Sequence, residues 1–229
     1  MSSKPLVIFD CDGVLVDSEP ISLGTLREVL AEDGLLLSED DTRRRFLGRS
    51  IAKMVKVIEQ EYGLSIGDDL EERMRARLYA RFRAELKPTQ GVVSAWDALK
   101  AAGFSWCVAS SSKPERIRLS LEVTGLLPRF CPPLYSATMV KNGKPAPDLF
   151  LYAAENMGRN PEDCIVIEDS PAGIEAAKAA GMKAFAYLGG SHALAADHRQ
   201  EIARLEPDLM FDAMDELVQR IREAGEEQG

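Results

Sequence analysis

Histidine is nearly missing from this sequence of 229 residues, which contains only His192 and His198. A catalytic triad that needs histidine, or a metal site built from several histidines, is therefore not expected, and we interpret both residues as surface side chains. Cysteine is also sparse, since four residues are scattered along the chain without a CxxC pair. This pattern favours buried thiols in a reducing compartment over a zinc site or disulfides.

Long apolar runs are absent as well. No run approaches the roughly 20 residues that span a bilayer, and the opening residues lack the charged region and cleavage site of a secretory signal. The net charge of −9 argues against non-specific binding to nucleic acid. We therefore expect a cytoplasmic protein with no membrane and no nucleic-acid partner.

Short apolar runs recur along most of the chain and predict a parallel sheet. They lie at 5–9, 104–109, 164–167, 183–188 and 209–211, with a weaker run at 134–137. The runs are continuous rather than alternating, which is typical of strands covered on both faces. Helical segments lie between them at 91–103, 113–125, 147–158 and 170–181, each closed by a glycine. This alternation predicts a doubly wound, Rossmann-like α/β core, and the tail at 222–229 is expected to fray.

The stretch from 19 to 87 contains no convincing strand. It is predicted to form helices at 20–32, 38–46, 50–62 and 68–86, with Ser38 and Ser50 as candidate N-caps. In the last of these, apolar residues recur at every fourth position and form one stripe. Its members are Leu70, Met74, Leu78, Phe82 and Leu86. We therefore expect a small α-helical subdomain at 19–87, inserted into an α/β core of residues 1–18 and 88–229.

Two carboxylates follow the first strand directly, in the stretch "LVIFDCDGVLVDSE", where Asp10 and Asp12 would repel each other. Ligand sites in open α/β sheets form at the carboxyl ends of the strands. Serines at 110–112 end the second strand, and the pair at 168–169, "ED", ends the strand at 164–167. Lys144 lies in "KNGKPAPD" just before a predicted helix. We expect these side chains to converge on Asp10 and Asp12.

The expected constellation suits phosphate chemistry. Carboxylates such as Asp10, Asp169 and Glu168, together with backbone carbonyls, form an oxygen-rich site for Mg²⁺, and the cation would remove the repulsion. A serine hydroxyl and a lysine ammonium group can hold a phosphate. One aspartate could then attack phosphorus and form an aspartyl phosphate. The other could protonate the leaving oxygen and later activate water.

Four motifs in this order resemble those of the haloacid dehalogenase-like hydrolase superfamily. They are "DCDGVLVDSE", "VASSS", "GKPAPD" and "VIEDSPAGIEAAKAAG". The chain resembles in particular the subgroup with a helical cap after the first strand, which includes β-phosphoglucomutase and the phosphoglycolate and sugar-phosphate phosphatases. The resemblance covers the core from 5 to about 190, and it covers 19–87 by position rather than by motif. It implies that the subdomain at 19–87 is a cap that helps to choose the substrate.

The resemblance also implies a role for each matching residue. Asp10 matches the nucleophile, which also binds Mg²⁺, and Asp12 matches the acid/base, whose backbone carbonyl binds the metal. Ser110, with Ser111 beside it, and Lys144 match the residues that hold the transferring phosphoryl group. Asp169 matches the metal-binding aspartate, with Glu168 as a ligand or as a support for one.

Arg49 is the one arginine of the predicted cap that we place in the substrate site. It lies in "FLGRS", beside a glycine and a candidate helix start at Ser50. A helix N-terminus together with an arginine would bind an anionic group of the substrate. Lys141, by contrast, is interpreted as a solvated surface residue.

The resemblance permits phosphatase, phosphomutase and dehalogenase chemistry. Dehalogenases of the superfamily lack the second aspartate, and Asp12 is present. β-Phosphoglucomutase has a histidine where the chain enters the cap, and the matching position here is Ser22. We therefore predict a Mg²⁺-dependent phosphatase for a sugar phosphate or phosphorylated sugar acid, with a β-phosphoglucomutase-type enzyme as the alternative. A small phosphorylated metabolite is the expected partner, and the expected oligomeric state is a monomer or weak homodimer.

Two alternatives from other classes remain. A receiver-type signalling domain also phosphorylates an aspartate in a doubly wound sheet, but receivers are shorter and have no helical insert. A catalytically inactive binding protein could sense a phosphorylated metabolite. Loss of Asp10 or Lys144 would mark such a protein, and both are present.

Overall fold

The computed structural model describes residues 4–46, 51–65, 69–191 and 196–226. The chain divides into two compact units. One, here the core unit, comprises Met1–Asp17 and Lys87–Gly229, and the other, here the helical unit, comprises Ser18–Leu86. Among the described residues, no helix combines the length and apolar character needed to cross a membrane.

The core unit is built on a parallel sheet. Within the described residues its six strands are β1 (Leu6–Phe9), β2 (Ser105–Ser110), β3 (Leu134–Ser136), β4 (Cys164–Glu168), β5 (Lys183–Tyr187) and β6 (Leu209–Phe211). Their spatial order is β3-β2-β1-β4-β5-β6, and every neighbouring pair is parallel. Each predicted strand is confirmed to within one residue at either end. The doubly wound α/β class is confirmed as well.

The helical unit contains four described helices, in agreement with the predicted pattern. They are α1 (Glu19–Glu32), α2 (Glu39–Phe46), α3 (Ile51–Tyr62) and α4 (Leu70–Glu85). All five members of the apolar stripe at 70–86 are buried. The side chain of Ser38 accepts a hydrogen bond from the backbone N–H of Asp41 at 3.1 Å, which confirms it as a helix cap. Ser50 lies outside the described residues.

The remaining helices cover the sheet of the core unit. They are α5 (Val92–Ala101), α6 (Pro114–Val123), α7 (Leu126–Phe130), α8 (Asp148–Asn156), α9 (Pro171–Ala179), α10 (Ala196–Arg204) and α11 (Leu217–Glu226). The sequence predicted α5, α6, α8 and α9. The buried residues of α11, Leu217, Val218 and Ile221, all precede the tail at 222–229, so the fraying of that tail stays a prediction.

The position of β1 sets the location of the site. The chain runs from β1 outward through β2 to β3, then crosses to β4 on the other side of β1 and continues outward to β6. This reversal of direction opens a crevice at the carboxyl ends of the central strands, where ligands bind in folds of this type. Phe9 pairs with Val108 of β2 and with Ile167 of β4. Asp10, the next residue, is therefore level with Ala109 and Glu168.

Candidate active site

Polar side chains collect at the carboxyl ends of β2, β1 and β4, as the sequence predicts. Asp10 follows β1, Ser110 ends β2 and Glu168 ends β4, and all three are buried. The backbone N–H of Asp10 still donates to the carbonyl oxygen of Ile167 at 3.0 Å, so the sheet ladder fixes its main chain. Lys144 enters the same place from the loop before α8. The structure therefore brings together residues that lie more than 100 positions apart in the sequence.

The ammonium group of Lys144 lies at the centre of this arrangement. It donates hydrogen bonds to Asp10 Oδ1 at 2.6 Å, to Glu168 Oε1 at 2.6 Å and to the carbonyl oxygen of Ala109 at 3.2 Å. Its side chain is only 4% exposed, and its Nζ lies 4.9 Å from the centre of the Phe150 ring. Each of the three ammonium N–H groups thus has an acceptor, which is what a buried charge requires.

The loop at 141–148 presents Lys144 in a fixed turn. The backbone and side-chain N–H groups of Asn142 both donate to Asp148 Oδ2, at 3.2 and 3.0 Å. The N–H of Ala146 donates to the carbonyl oxygen of Gly143 at 3.0 Å, and the Lys144–Pro145 peptide bond is cis. Because Asp148 is the first residue of α8, these contacts join the turn to a helix of the core unit.

Glu168 is held by the N-terminus of α9 as well as by Lys144. Its Oε2 accepts hydrogen bonds from the backbone N–H groups of Asp169 and Ser170 and from the Ser170 hydroxyl, each at 2.9 Å. The Ser170 hydroxyl oxygen in turn accepts from the N–H of Gly173 at 3.1 Å, so Ser170 is the N-cap of α9. Four hydrogen bonds therefore fix the Glu168 carboxylate beside Lys144.

Gly173 leaves room for this carboxylate. A Cβ atom added at Gly173 would lie 1.9 Å from both the carboxyl carbon and Oε1 of Glu168. The glycine has ordinary helical geometry in α9 and is needed for space rather than for an unusual dihedral angle. The first turn of α9 and the end of β4 therefore fit together only with glycine at this position.

Asp12 is held by two donors from the segment that follows β2. Its Oδ2 accepts from the Ser112 hydroxyl at 2.7 Å, and its Oδ1 accepts from an N–H of Arg116 at 2.8 Å. Gly13, at φ +84°, makes the turn after it, and its N–H donates to the carbonyl oxygen of Val16 at 2.8 Å. The sequence did not indicate the contact with Arg116.

The three serines at the end of β2 differ in their burial and in their contacts. The buried Ser110 hydroxyl oxygen accepts from the N–H of Ser112 at 3.1 Å and thereby supports the local turn. Ser111 is exposed at the surface of this loop. The carbonyl oxygen of Ser112 accepts from the hydroxyl of Ser136 in β3 at 2.7 Å. Neighbouring strands thus fix the loop that ends β2.

The predictions for His198, His192 and Arg49 have different outcomes. His198 on α10 is half-buried rather than on the open surface, and its Nε2 lies 2.7 Å from the carbonyl oxygen of Asp169. Spacing along the sequence gave no sign of this contact, because His198 and Asp169 lie 29 positions apart. Arg49, the candidate for substrate binding, and His192 lie outside the described residues.

The pKa values of the two carboxyl groups beside Lys144 are shifted in opposite directions, upward for Asp10 and downward for Glu168. Burial raises the pKa of the Asp10 carboxyl well above its usual range; Lys144 opposes this, and the charges of Glu168, Asp169 and Asp12 add to it. Burial also acts to raise the pKa of Glu168, but the charge of Lys144 and the hydrogen bonds from Lys144 and Ser170 outweigh it, so the net shift is downward. Lys144 has a raised pKa, because its two acidic partners outweigh its burial. Lys144 and Glu168 therefore form an ion pair, whereas the ionised form of Asp10 is disfavoured in spite of its contact with Lys144.

Comparison with known proteins identifies the family. The family model for haloacid dehalogenase-like hydrolases matches residues 4–181. The chain belongs to the haloacid dehalogenase-like hydrolase family. It is 31% identical to the 6-phosphogluconate phosphatase of Escherichia coli over 84% of this chain and 86% of that protein. It is also 31% identical to a phosphorylated carbohydrates phosphatase of Thermotoga maritima, over 93% of this chain and 99% of that protein.

Solved structures of the family share the whole fold. A hydrolase from Deinococcus radiodurans, solved with bound phosphate and sodium, superimposes with a TM-score of 0.81 at 32% identity, covering 97% of this chain and 96% of that one. A candidate β-phosphoglucomutase from Thermotoga maritima has a TM-score of 0.74 at 28% identity, covering 96% of this chain and 99% of that one. The enzyme class predicted from the sequence, a phosphoric monoester hydrolase of this family, is therefore confirmed.

Phosphatases of this family generally use a divalent metal ion, and the charge of the site fits one. Four carboxylates meet two cationic side chains, which gives a formal charge of −2. The six residues are Asp10, Asp12, Glu168, Asp169, Lys144 and Arg116. Hard carboxylate and carbonyl oxygens are the donors that Mg²⁺ prefers. Burial and the neighbouring carboxylates raise the pKa of Asp10 in spite of Lys144, so a further cation would favour the ionised form of Asp10.

The side chains do not form a preassembled ligand cluster. Among the described residues, no three histidine, cysteine, aspartate or glutamate side chains are placed to hold a metal ion together. The physical reason lies in the contacts above: Lys144 lies between Asp10 and Glu168, and the Asp12 carboxylate faces Ser112 and Arg116. Asp10, Asp169 and the backbone carbonyl of Asp12 remain the best candidates for a cation.

Replacing Lys144 tests whether it compensates the buried carboxylates. Removing one partner of a buried ion pair typically costs about 3–5 kcal/mol, so we expect Lys144→Met to lower the free energy of unfolding of the metal-free protein by that amount. The matched control is Lys141→Met in the same loop, because Lys141 is exposed and its replacement should change stability by less than about 0.5 kcal/mol. Urea denaturation measures both. A loss below 1 kcal/mol for Lys144→Met would contradict the assignment.

Replacing Gly173 tests the fit between α9 and Glu168. The added methyl group would displace the Glu168 carboxylate and disturb its four hydrogen bonds, so we expect Gly173→Ala to lower the free energy of unfolding by about 1–3 kcal/mol. Gly225→Ala in α11 is the control, since no atom lies within 4 Å of the added Cβ. It should leave stability unchanged or raise it by up to about 1 kcal/mol through helix propensity. Equal changes in the free energy of unfolding for the two variants would show that the Glu168 carboxylate can move away from the added methyl group at no cost.

Proposed function

We propose that the protein is a Mg²⁺-dependent phosphatase that hydrolyses a sugar phosphate or a phosphorylated sugar acid through an aspartyl phosphate on Asp10. The observation that carries this proposal is the buried Asp10 carboxylate, which Lys144 holds at the carboxyl end of the sheet. The names of the relatives support the substrate class, since one acts on 6-phosphogluconate and another on phosphorylated carbohydrates. The phosphate bound in the Deinococcus neighbour supports a phosphate site.

In the first step the Asp10 carboxylate attacks phosphorus. The new bond joins a carboxylate oxygen of Asp10 to phosphorus, and the bond from phosphorus to the ester oxygen breaks. Asp12 gives its proton to the leaving ester oxygen, which departs as an alcohol. Lys144 and Ser110 bind the non-bridging oxygens and reduce the repulsion between the anionic nucleophile and the phosphoryl group. This step leaves a covalent aspartyl phosphate and an Asp12 carboxylate.

The second step returns the enzyme to its starting state. The Asp12 carboxylate takes a proton from a water molecule, whose oxygen attacks the aspartyl phosphate. The bond between phosphorus and Asp10 breaks, and inorganic phosphate leaves. Asp12 thus ends the cycle protonated, ready to act as an acid again.

A divalent cation, when bound, would neutralise charge on the phosphoryl oxygens and on the nucleophile. Asp10, Asp169 and the backbone carbonyl of Asp12 would hold it, and Glu168 would support the site by positioning Lys144. Acid–base catalysis supplies only about 10²–10⁴-fold, whereas enzymatic hydrolysis of phosphate monoesters can reach roughly 10²¹-fold over the uncatalysed reaction. Most of the rate must therefore come from positioning and charge neutralisation.

The helical unit completes the proposal. We assign residues 19–87 as a cap that excludes bulk water during the first step and later admits one water molecule, with 1–18 and 88–229 as the catalytic core. Arg49 would bind the carboxylate or another anionic group of the substrate. We place the enzyme in the cytoplasm, as a monomer or weak homodimer without nucleic-acid or membrane partners; its four free cysteine thiols suit a reducing compartment.

Asp10→Asn tests the nucleophile. We expect release of inorganic phosphate from a panel of sugar phosphates to fall by more than about 10³-fold, because the amide cannot form the covalent intermediate. Asp97→Asn is the control, since Asp97 pairs with Arg129 on the surface and should keep full turnover. Mg²⁺ should also stabilise the wild-type protein against heat, by about 2.7 kcal/mol at 100 times its Kd, and should stabilise Asp10→Asn less. Retained turnover in Asp10→Asn would remove the assignment.

A phosphomutase is the second candidate, favoured by the likeness to the candidate β-phosphoglucomutase. Against it stands Ser22 of α1, which matches the position of the mutase histidine by resemblance and whose buried hydroxyl has no hydrogen-bond partner among the residues that the structure describes. We expect β-glucose 1-phosphate to yield free phosphate rather than glucose 6-phosphate, because nothing at that position replaces the imidazole. Product analysis by NMR distinguishes the outcomes, and dominant isomerisation would favour the mutase.

A further inference from the structure

Arg116 lies in the first turn of α6, directly after the serine loop, and contacts the proposed acid/base residue. One N–H of its guanidinium group donates to Asp12 Oδ1 at 2.8 Å, while the Ser112 hydroxyl donates to Asp12 Oδ2 at 2.7 Å. We propose that Arg116 is a positioning residue, which together with Ser112 holds the Asp12 carboxylate in the orientation for proton transfer. This inference rests on the proposed function, in which Asp12 exchanges the proton.

The two hydrogen bonds fix the orientation of the Asp12 carboxylate. A single donor would leave the group free to rotate about its last bond, whereas one donor on each oxygen defines the plane of the carboxylate. Each oxygen has two lone pairs, and each of these two contacts uses one of them. These two hydrogen bonds therefore orient the Asp12 carboxylate, which exchanges a proton with the ester oxygen or with water in the proposed function.

The donors are themselves fixed by the fold. Pro114 begins α6, and the backbone N–H of Arg116 donates to the carbonyl oxygen of Lys113 at 3.0 Å. Ser112 is held on both sides, since its N–H donates to Ser110 Oγ and its carbonyl oxygen accepts from Ser136. Side chains whose neighbours restrict them in this way can position a reactive group accurately.

Burial separates this pair from ordinary surface ion pairs. The side chains of Arg116 and Asp12 are 26% and 20% exposed, whereas those of the surface pair Arg43 and Asp40 are 48% and 85% exposed. Exposed pairs at helical spacing are screened by water and contribute little. Arg116 and Asp12 lie 104 positions apart in the sequence and meet at the carboxyl ends of β1 and β2. The contact between Arg116 and Asp12 is therefore part of the candidate active site.

Arg116→Ala should lower kcat by roughly 10- to 100-fold with little change in KM, because it misorients the proton donor without removing a phosphate contact. The loss in kcat/KM, which reports the first step, should be larger for an alkyl phosphate such as a sugar phosphate than for p-nitrophenyl phosphate, whose leaving group needs no proton. Arg116→Lys, which restores one donor, should recover part of the rate. Arg118→Ala is the matched control, since Arg118 is exposed on the same helix, and it should retain wild-type rates.

A double-mutant cycle separates positioning from a structural role. In the Asp12→Asn background, Arg116→Ala should cost less than twofold in hydrolysis of a sugar phosphate, because its effect passes through Asp12. The same loss in both backgrounds, an equal loss in kcat/KM for both leaving groups, or wild-type rates in Arg116→Ala would each overturn the inference. If Arg116→Ala does not fold or the double variant is too slow to measure, the leaving-group comparison is made with Ser112→Ala, which should show the same trend. Failure of the proposed function would be seen separately, as wild-type turnover in Asp12→Asn or Asp10→Asn.

Discussion

The contact of one buried lysine with two carboxylates is the interaction on which the rest of the site depends. Parallel pairing of β1 with β4 places Asp10 and Glu168 at the same level, where their charges would repel each other. Lys144 relieves this repulsion by donating to both at 2.6 Å. The fixed turn at 141–148 and the N-terminus of α9 serve that contact, because each orients one of the partners.

The same contact explains how the site can be both stable and reactive. Glu168 receives four hydrogen bonds and has a lowered pKa, so it can remain ionised in the interior. Asp10 shares the lysine but keeps a raised pKa, and the ionised form that the proposed attack on phosphorus requires is disfavoured without further positive charge. A site of this kind costs folding stability and favours the binding of cations. Positive charge brought by a bound ion would therefore assist both folding and nucleophilic attack.

The contacts of Asp12 extend this logic to a second carboxylate. Ser112 and Arg116 come from the segment after β2, so the strand that contributes Ser110 also orients the residue proposed for proton transfer. The carboxyl end of β2 thus serves phosphate binding and acid–base chemistry together in our proposal. Its neighbour β3 takes part through Ser136, which holds the loop in place.

The sequence by itself determined where the strands lie along the chain, where the helical insert lies and which polar residues end the central strands. Hydrophobic runs and glycine or serine caps are local signals, and they predicted β1 to β6 to within one residue. The convergence of Asp10, Lys144 and Glu168 was predictable because parallel strands bring their carboxyl ends to one edge. Only the tertiary structure decided that Glu168 supports Lys144, that Gly173 makes room for it, and that Arg116 contacts Asp12. Those features depend on side-chain directions and on distances of a few ångströms between elements far apart in the chain, which residue types and spacing do not encode.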